Sequence, residues 1–501
     1  MNRVTKVTEK ALYEVWKSEE LKKLINTIDG ESVFIMDTGF HNTDTSGPDF
    51  KNARIRIGNL TYVGDVEIDL DVSDWRNHGH FQDNKYSSVI LHVVLNNKHR
   101  HPFVYSSDKR KIPVLCITDF INNSLSLEAF EQASLEAESG INHLRCSQKS
   151  QKVENKLKID FLYNLGISRF RKRCDKIYTR LKELAYVKEM DLKEPVIGYD
   201  LTEEFQAREF SYKDFKAKDL WEQLFYEFLF EALGYSNNKA IMLRLAQSAN
   251  IKFLRAVVYE ANSLETIRAC LFYISGLISP EKTYADGEIS DYVSNTLKIW
   301  DTVKDRYDGK VFSDVNWHFF KLRPQNFPTI RLAGGAVLLH RIMFEDIIGR
   351  MIKKFEEIKN KEVLLRSVKS LFIVPSDGFW KKHYVLDKPT EDEIKYFIGG
   401  SRIDDILINI VLPFVSVYSE IYGNRELSRH IFQIFSSYIQ PDNNNIVKTV
   451  ASSLQVEDSW KRSVLSQGMI ELFRNFCSRD KCRECEIGKG LEEGKELKIK
   501  N

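Results

Sequence analysis

Residues 39–94 carry the most informative pattern of the chain, GFHNTDTSGPDFKNARIRIGNLTYVGDVEIDLDVSDWRNHGHFQDNKYSSVILHVV. Its strand-like segments carry carboxylates and imidazoles, and those used below are Asp49, Glu67, Asp69, His78, His80 and His92. Acidic groups within β-rich sequence cost free energy unless they are solvated or bind something. We therefore expect the chemistry of this protein to lie in this stretch.

The pattern around this stretch predicts a compact α/β unit. Apolar residues recur at helical spacing over residues 10–28, and strands are predicted at 32–36, 53–57, 60–70, 89–95 and 112–118. Gly58-Asn59 is a hairpin turn signal between the second and third strands. With a polar connection over residues 74–87, the order is α-β-β-β-α-β-β, and we expect an α/β domain over residues 1–125.

The remainder of the chain has the periodicity of helices. Helices are predicted at 157–184, 218–233, 241–249, 251–261, 264–277, 333–354, 361–371, 403–422 and 429–439. We therefore expect a mostly α-helical domain over residues 126–475, followed by a cysteine loop and charged tail over 476–501.

Composition excludes a global electrostatic attraction to nucleic acid. The 501 residues hold 73 Lys and Arg against 71 Asp and Glu, a net charge of +2, so any such contact needs a local basic patch. The charged N-terminal residues lack a signal-peptide core, and no apolar run is long enough to span a bilayer. These features predict a cytoplasmic protein without a membrane partner.

Two carboxylates of the hairpin can converge on one cation. Asp49 opens one predicted strand and Glu67 lies inside the next, so the turn would place them side by side. Mg²⁺ prefers oxygen ligands and keeps waters that can attack a phosphodiester. We predict Asp49 and Glu67 as Mg²⁺ ligands, with Asp69 as a third candidate.

The stretch resembles the PD-(D/E)XK phosphodiesterase superfamily. Pro48-Asp49 matches the PD element, and residues 67–69 (Glu-Ile-Asp) occupy the (D/E)XK element. The resemblance implies an αβββαβ core and a Mg²⁺-dependent nuclease acting on DNA or RNA. A catalytically inactive nucleic-acid-binding or protein-binding module on the same fold is the alternative.

Asp69 departs from that superfamily, which places Lys there to orient water and stabilise the transition state. An aspartate cannot supply that positive charge. Lys85, Arg76 or His80 is the predicted substitute, and His80 or Lys85 would activate or orient the water.

The histidines favour a different hypothesis about the metal site. The spacing Asp74-x3-His78-x-His80-x2-Asp83 offers ligand types suited to Zn²⁺ or Mn²⁺, which would make a zinc-dependent hydrolase. Alternatively, Asp74 caps a polar helix. His92, within the apolar VILHVV, is either a core residue or a group that orients a carboxylate from behind.

Three cysteines at the C-terminus predict a second metal site. Cys477-x4-Cys482-x2-Cys485 would surround Zn²⁺ or a [4Fe–4S] cluster, and its uneven spacing resembles the cluster loops of DNA-repair glycosylases and iron–sulfur nucleases. A fourth ligand is then required. Cys146 and Cys174 are the preferred candidates, with Cys116, Cys270 and His430 behind them.

Basic residues in the helical region are candidate contacts to a nucleic-acid backbone. They are Arg169, Arg171, Lys172, Arg173, Arg323 and Arg331. Clustered arginines bind phosphate readily. A solvated helix face, or arginines that tie two helices together, is the alternative.

Taken together, several motifs are similar to those of an uncharacterised bacterial family of unknown function. They are GPDFxxARIxIG, GDVEI, SDWxxHGH, ILHVV, RPxNFPTIRLA and the terminal CxxxxCxxCxIG. The resemblance covers nearly the whole chain, and it implies no established activity.

Overall fold

A computed structural model describes most of the chain. The described residues are 9–17, 25–42, 47–81, 83–121, 144, 146–190, 203–235, 238–280, 290–319, 322–386, 388–440, 444–456, 461–479 and 481–491. They fall into two compact units, one formed by Met1–Lys158, Asn445–Val456 and Leu472–Asn501, the other by Ile159–Asn444 and Glu457–Glu471. The division into three domains predicted from the sequence stays a prediction beside these two units.

The first unit contains a mixed, curled eight-stranded sheet. Its strands are β1 (Ile25–Asn26), β2 (Ser32–Asp37), β3 (Phe40–His41), β4 (Phe50–Ile57), β5 (Leu60–Asp71), β6 (Val89–Asn96), β7 (Phe103–Tyr105) and β8 (Lys111–Cys116). The order is β1-β2-β4-β5-β6-β8-β7, with β3 paired to β4. The strands up to β5 pair in antiparallel fashion, whereas β5, β6 and β8 run parallel.

Short helices accompany this sheet. They are α1 (Glu9–Lys17), α2 (Asp74–Asn77) and α3 (Thr118–Ile121). The helix predicted over residues 10–28 is shorter in the described part, because β1 already begins at Ile25. The polar connection between β5 and β6 consists of α2 and a 3₁₀ turn at Asn84–Tyr86.

Alternation along β5 separates two hydrophobic cores. Val66 and Ile68 belong to the core that α1 covers with Trp16. The second core, around Trp75 of α2 and Val94 of β6, lies on the opposite face of the sheet. Successive strand residues point to opposite faces, so Glu67 and Asp69 face the second core. The strand pattern thus places two carboxylates beside apolar side chains.

The rest of the described chain is mainly helical. Its longer helices are α4 (Asn155–Glu189), α5 (Glu203–Ala207), α6 (Lys218–Leu233), α7 (Lys239–Ser248), α8 (Ile251–Val257), α9 (Ser263–Ile274), α10 (Asp291–Asp301), α11 (Pro328–Phe344), α12 (Ile347–Glu357), α13 (Lys361–Lys369), α14 (Gly400–Ile406), α15 (Leu412–Ile421), α16 (Arg425–Ser437), α17 (Asn445–Leu454) and α18 (Ser463–Asn475). A two-stranded sheet joins β9 (Val374–Pro375) to β10 (Tyr396–Ile398). In the described residues, no helix is both long and apolar enough to cross a membrane.

Candidate metal centre

Two carboxylates of β5 are buried on one face of the sheet. The exposed fractions of Glu67 and Asp69 are 5% and 2%. Burial of an ionised carboxylate is costly without partners, and both side chains have them. The partners of Asp69 are imidazoles: His92 Nε2 lies 2.9 Å from its Oδ2, and His78 Nδ1 lies 3.2 Å from its Oδ1.

The local fold explains why histidines meet at Asp69. The short helix α2 ends at Asn77, and the backbone N–H of His80 then donates to the Trp75 carbonyl, which folds the chain back over the helix. His92 comes from β6, whose parallel pairing places it opposite Glu67 in register. Its ring packs against Trp75, with ring centroids 5.0 Å apart.

His80 is buried beside both carboxylates. Its Nε2 lies 3.1 Å from Glu67 Oε1 and 4.0 Å from Asp69 Oδ2, yet among the described residues this nitrogen makes no hydrogen bond. Burial lowers the pKa of His80 to about 4, although the charge of Asp69 opposes that shift. The ring is therefore neutral at pH 7, the form in which imidazole binds a metal.

Asp69, His78 and His80 form a group with metal-binding geometry. One ligand atom from each residue lies within 4.8 Å of the corresponding atoms of the other two. Two imidazoles and one carboxylate suit Zn²⁺ or another transition metal, and three protein ligands leave a coordination position open. The side chain of His78 is 46% exposed, so the group opens to solvent on that side.

Asp49 and Glu67 also lie together, as the hairpin predicts. The backbone N–H of Asp49 donates to Glu67 Oε2 at 3.0 Å, and Asp49 Oδ2 accepts from the Ile68 N–H at 3.0 Å. The hydroxyl of Tyr13 donates to Asp49 Oδ1 at 2.6 Å. Burial raises the pKa of Tyr86 far above its usual range, with Glu67 and Asp49 adding to the shift, so Tyr86 lies near both carboxylates.

The other predicted members of this site take different positions. Lys85 and Arg76 are exposed, and Lys85 lies beside the Gly47 backbone, in the loop before Asp49. Asp83 accepts the backbone N–H of Lys85, and Asp74 accepts that of Asp71. These two aspartates stabilise local turns, so the aspartate that contacts the histidines is Asp69, with Glu67 beside His80.

From the sequence alone, the carboxylates and the histidines are rival candidate sites. In the structure Glu67, Asp69, His78 and His80 belong to one cluster, with His92 behind Asp69. The two-residue spacing of Glu67 and Asp69 was the available signal, since it places both on one face of a strand. The turn that folds His78 and His80 back over α2 has no such recognisable spacing in the sequence.

The predicted nucleic-acid contacts divide into inward and outward residues. Arg169 donates to Gln467 and Glu471, Arg173 to the Asn409 carbonyl, and the buried Arg331 to the Phe397 carbonyl. The exposed residues are Arg171, Lys172 and Arg323, although Lys172 also reaches Glu471. Contact with nucleic acid stays a prediction. Of the six residues, the three exposed ones are better placed to contact a phosphate backbone.

The predicted thiol ligands come together. Cys146, Cys477, Cys482 and Cys485 line one cavity of about 660 Å³ in the first unit. Cys174, the other preferred candidate, belongs to the second unit, where its sulfur lies 3.8 Å from the Pro413 carbonyl oxygen.

Comparison with known proteins places the chain by family alone. No curated protein and no solved structure matches it. A family model described as "Protein of unknown function (DUF2851)" matches residues 9–192 and 205–445, which is most of the chain. The chain therefore belongs to the DUF2851 family.

Proposed function

We propose that this protein is a metal-dependent phosphodiesterase whose centre is the cluster on β5. The observation that carries the proposal is the group Asp69, His78 and His80, with its ligand atoms within 4.8 Å of one another and Glu67 beside it. Carboxylate oxygens such as those of Asp49 and Glu67 are the ligand type that Mg²⁺ prefers, whereas the imidazoles favour Zn²⁺ or Mn²⁺.

Each side chain of the cluster has its own role in the proposed hydrolysis. A divalent ion held by Asp69, His78 and His80 would supply a water ionised near neutral pH and polarise a phosphoryl oxygen. Glu67 is buried next to His80, where it can accept the proton of the attacking water. His92 holds Asp69 in place through its Nε2, and Tyr13 does the same for Asp49.

A nucleic acid is the proposed substrate because of the resemblance of the N-terminal segment to PD-(D/E)XK nucleases. The order of a helix, antiparallel strands, a short helix and a parallel strand supports that resemblance. In that resemblance, Asp49 and Glu67 match the residues with which the superfamily binds its metal. In this proposal a metal ligand, Asp69, stands where the superfamily has its lysine. The positive charge that stabilises the transition state would then come from the metal ion.

The test combines metal binding with cleavage. Purified protein is titrated with Mn²⁺, Zn²⁺ and Mg²⁺ by calorimetry, and end-labelled single- and double-stranded DNA and RNA are incubated with each ion. We expect cleavage that requires Mn²⁺ or Zn²⁺ and stops on chelation. Glu67→Gln should lower the rate by about a hundredfold or more, since it removes the proton acceptor. His80→Ala should remove Mn²⁺ binding at this centre.

Asp83→Asn is the matched control, because Asp83 lies close to His80 but accepts a backbone N–H instead of meeting Asp69. Asparagine can accept the same bond, so this variant should retain both metal binding and cleavage. Metal affinity unchanged by His80→Ala would reject the proposed centre. Tight binding of nucleic acid without cleavage under any ion would favour the inactive binding module.

His92 is expected to control metal affinity without touching the metal. His92→Leu removes the N–H that fixes Asp69, and we expect metal affinity to fall by about 10- to 100-fold. His92→Gln can still donate through its amide and should recover part of that loss. Calorimetric titration with Mn²⁺ measures both variants, and an unchanged affinity in His92→Leu would exclude this role.

A further inference from the structure

The second concentration of metal-ligating side chains lies apart from the β5 cluster. Cys477, Cys482 and Cys485 come from the C-terminal segment, and Cys146 comes from residues some three hundred positions earlier in the chain. All four line the same cavity of about 660 Å³. Four cysteines brought to one cavity are the ligand set of a structural zinc site or an iron–sulfur cluster.

The geometry points to a [4Fe–4S] cluster, ligated by Cys146, Cys477, Cys482 and Cys485. Tetrahedral zinc with Zn–S bonds of about 2.3 Å requires its sulfurs to lie about 3.8 Å apart. In the described part of the chain, no three of these thiols lie within 4.8 Å of one another. Thiols spread around a cavity of this volume fit a bulky cluster better than a single ion.

Cys146 is held at the cavity by its own segment. Leu144 donates its backbone N–H to Ser453 at 3.1 Å, and Cys146 begins the 3₁₀ turn Ser147–Lys152. Burial raises the pKa of the Cys146 thiol to about 11, and the nearby Cys485 and Cys482 add to that rise. Cys146 and Cys485 are therefore poorly solvated, whereas Cys482 lies at the exposed side of the cavity. A bound metal would favour the thiolate form of all three.

The surroundings suit an anionic group. Lys149, Lys481, Arg483 and Glu484 line the cavity, and Lys481 is paired with Glu484, so the lining keeps an excess of positive charge. A cluster with four thiolates carries net negative charge. Burial raises the pKa of the Cys485 thiol, while the backbone N–H groups of Gly488 and Ile487 counter part of that rise. Hydrogen bonds of this kind to sulfur stabilise a ligating thiolate.

The loop is closed tightly around the sulfurs. A Cβ atom at Gly488 would lie 1.9 Å from the carbonyl oxygen of Cys482, so only glycine allows the backbone to approach there. The backbone N–H of Cys485 donates to the same carbonyl. Apolar side chains complete the wall and limit solvent access: Leu454, Leu472, Phe476, Ile487 and Leu491.

The test uses the full chain purified without oxygen and reconstituted with ferrous iron and sulfide. We expect about four iron and four sulfide per chain, broad visible absorption, and the Mössbauer spectrum of a [4Fe–4S] cluster. Alkylation of the native holoprotein, read by mass spectrometry, should leave the four cavity cysteines protected. Oxidative removal of the cluster should then expose them to the reagent.

Cys146→Ala separates this proposal from a site made by the C-terminal cysteines alone. We expect it to lose the cluster or to retain only a three-iron form, with circular dichroism reporting whether the chain still folds. Cys174→Ala is the matched control and should keep full iron content, since Cys174 belongs to the other unit. Full iron content in Cys146→Ala would overturn the ligand assignment.

Stoichiometric zinc in the purified protein, with no cluster after reconstitution, would overturn the proposal for iron. Equal alkylation of the four cavity cysteines before and after oxidative removal of the cluster would also overturn it, without relying on any variant. Cys116 and Cys270 are buried and should stay protected in both states. The proposal of a cluster and the proposal of a phosphodiesterase can be rejected independently of each other. Iron content tests the cavity, whereas Mn²⁺ titration of the Cys146→Ala variant tests the β5 centre, because the remaining thiols favour softer metals than Mn²⁺.

Discussion

Asp69→Lys is expected to abolish metal binding and to lower the free energy of unfolding by about 3–5 kcal/mol. Asp69 is 2% exposed and lies next to His78 and His92. The variant would bury an ammonium group and leave His92 without the carboxylate that accepts its N–H. Urea unfolding and calorimetric titration with Mn²⁺ measure the two effects.

The same variant distinguishes two interpretations of Asp69: a degenerate form of the superfamily lysine, or a metal ligand. If Asp69 were a degenerate form of the superfamily lysine, Asp69→Lys should gain Mg²⁺-dependent cleavage of nucleic acid. A metal ligand, by contrast, cannot be replaced by a cation. Thr61→Lys, at an exposed position of the same strand, controls for the added side chain and should leave stability within about 0.5 kcal/mol. Cleavage gained by Asp69→Lys would contradict the proposed centre.

How much of this site could be predicted depends on whether the contacts are local in sequence. The pairing of Asp49 with Glu67 follows from a hairpin whose turn, Gly58-Asn59, is visible in the sequence. The approach of His92 to Asp69 depends on β5 and β6 running parallel, which needs a crossover whose geometry the sequence does not state. Lys85, a predicted substitute for the superfamily lysine, lies in the connection between these two strands and is exposed.

The helices show a similar division. The prediction for residues 218–233 coincides with α6, because its apolar residues repeat without interruption. A single helix was predicted over 333–354, and this was wrong: α11 ends at Phe344, and α12 begins at Ile347. Asp346 adopts a left-handed conformation with φ of 47°, which aspartate tolerates better than most residues and which breaks the helix. Apolar periodicity alone does not reveal such a break.

The basic stretch of α4 shows what charge alone cannot predict. Arg169 and Lys172 lie near one another on the helix, as a phosphate-binding face would require. Both reach Glu471 of α18, however, and Arg169 also donates to Gln467. A carboxylate 302 residues away in sequence decides whether an arginine is solvated or ties two helices together.

Gly468→Ala is expected to destabilise the second unit by about 3 kcal/mol, because α4 and α18 cross in close contact. A Cβ atom at Gly468 would lie 1.9 Å from the Leu162 carbonyl oxygen, and one at Gly166 would lie 1.9 Å from that of Val464. Backbone atoms within helices cannot move aside singly. The helices must separate, which also weakens the contact between Arg169 and Glu471. Thermal and urea unfolding measure the loss.

Gly400→Ala is the matched control, since Gly400 begins α14 and no atom lies within 4 Å of the Cβ it would gain. Alanine there should leave stability unchanged or raise it by up to about 1 kcal/mol, through the lower entropy of the unfolded chain. Equal effects of Gly468→Ala and Gly400→Ala would mean that the helices are not in contact at these glycines. The inward direction of Arg169 depends on that contact, so Arg169 would then return to the candidate phosphate contacts with Arg171.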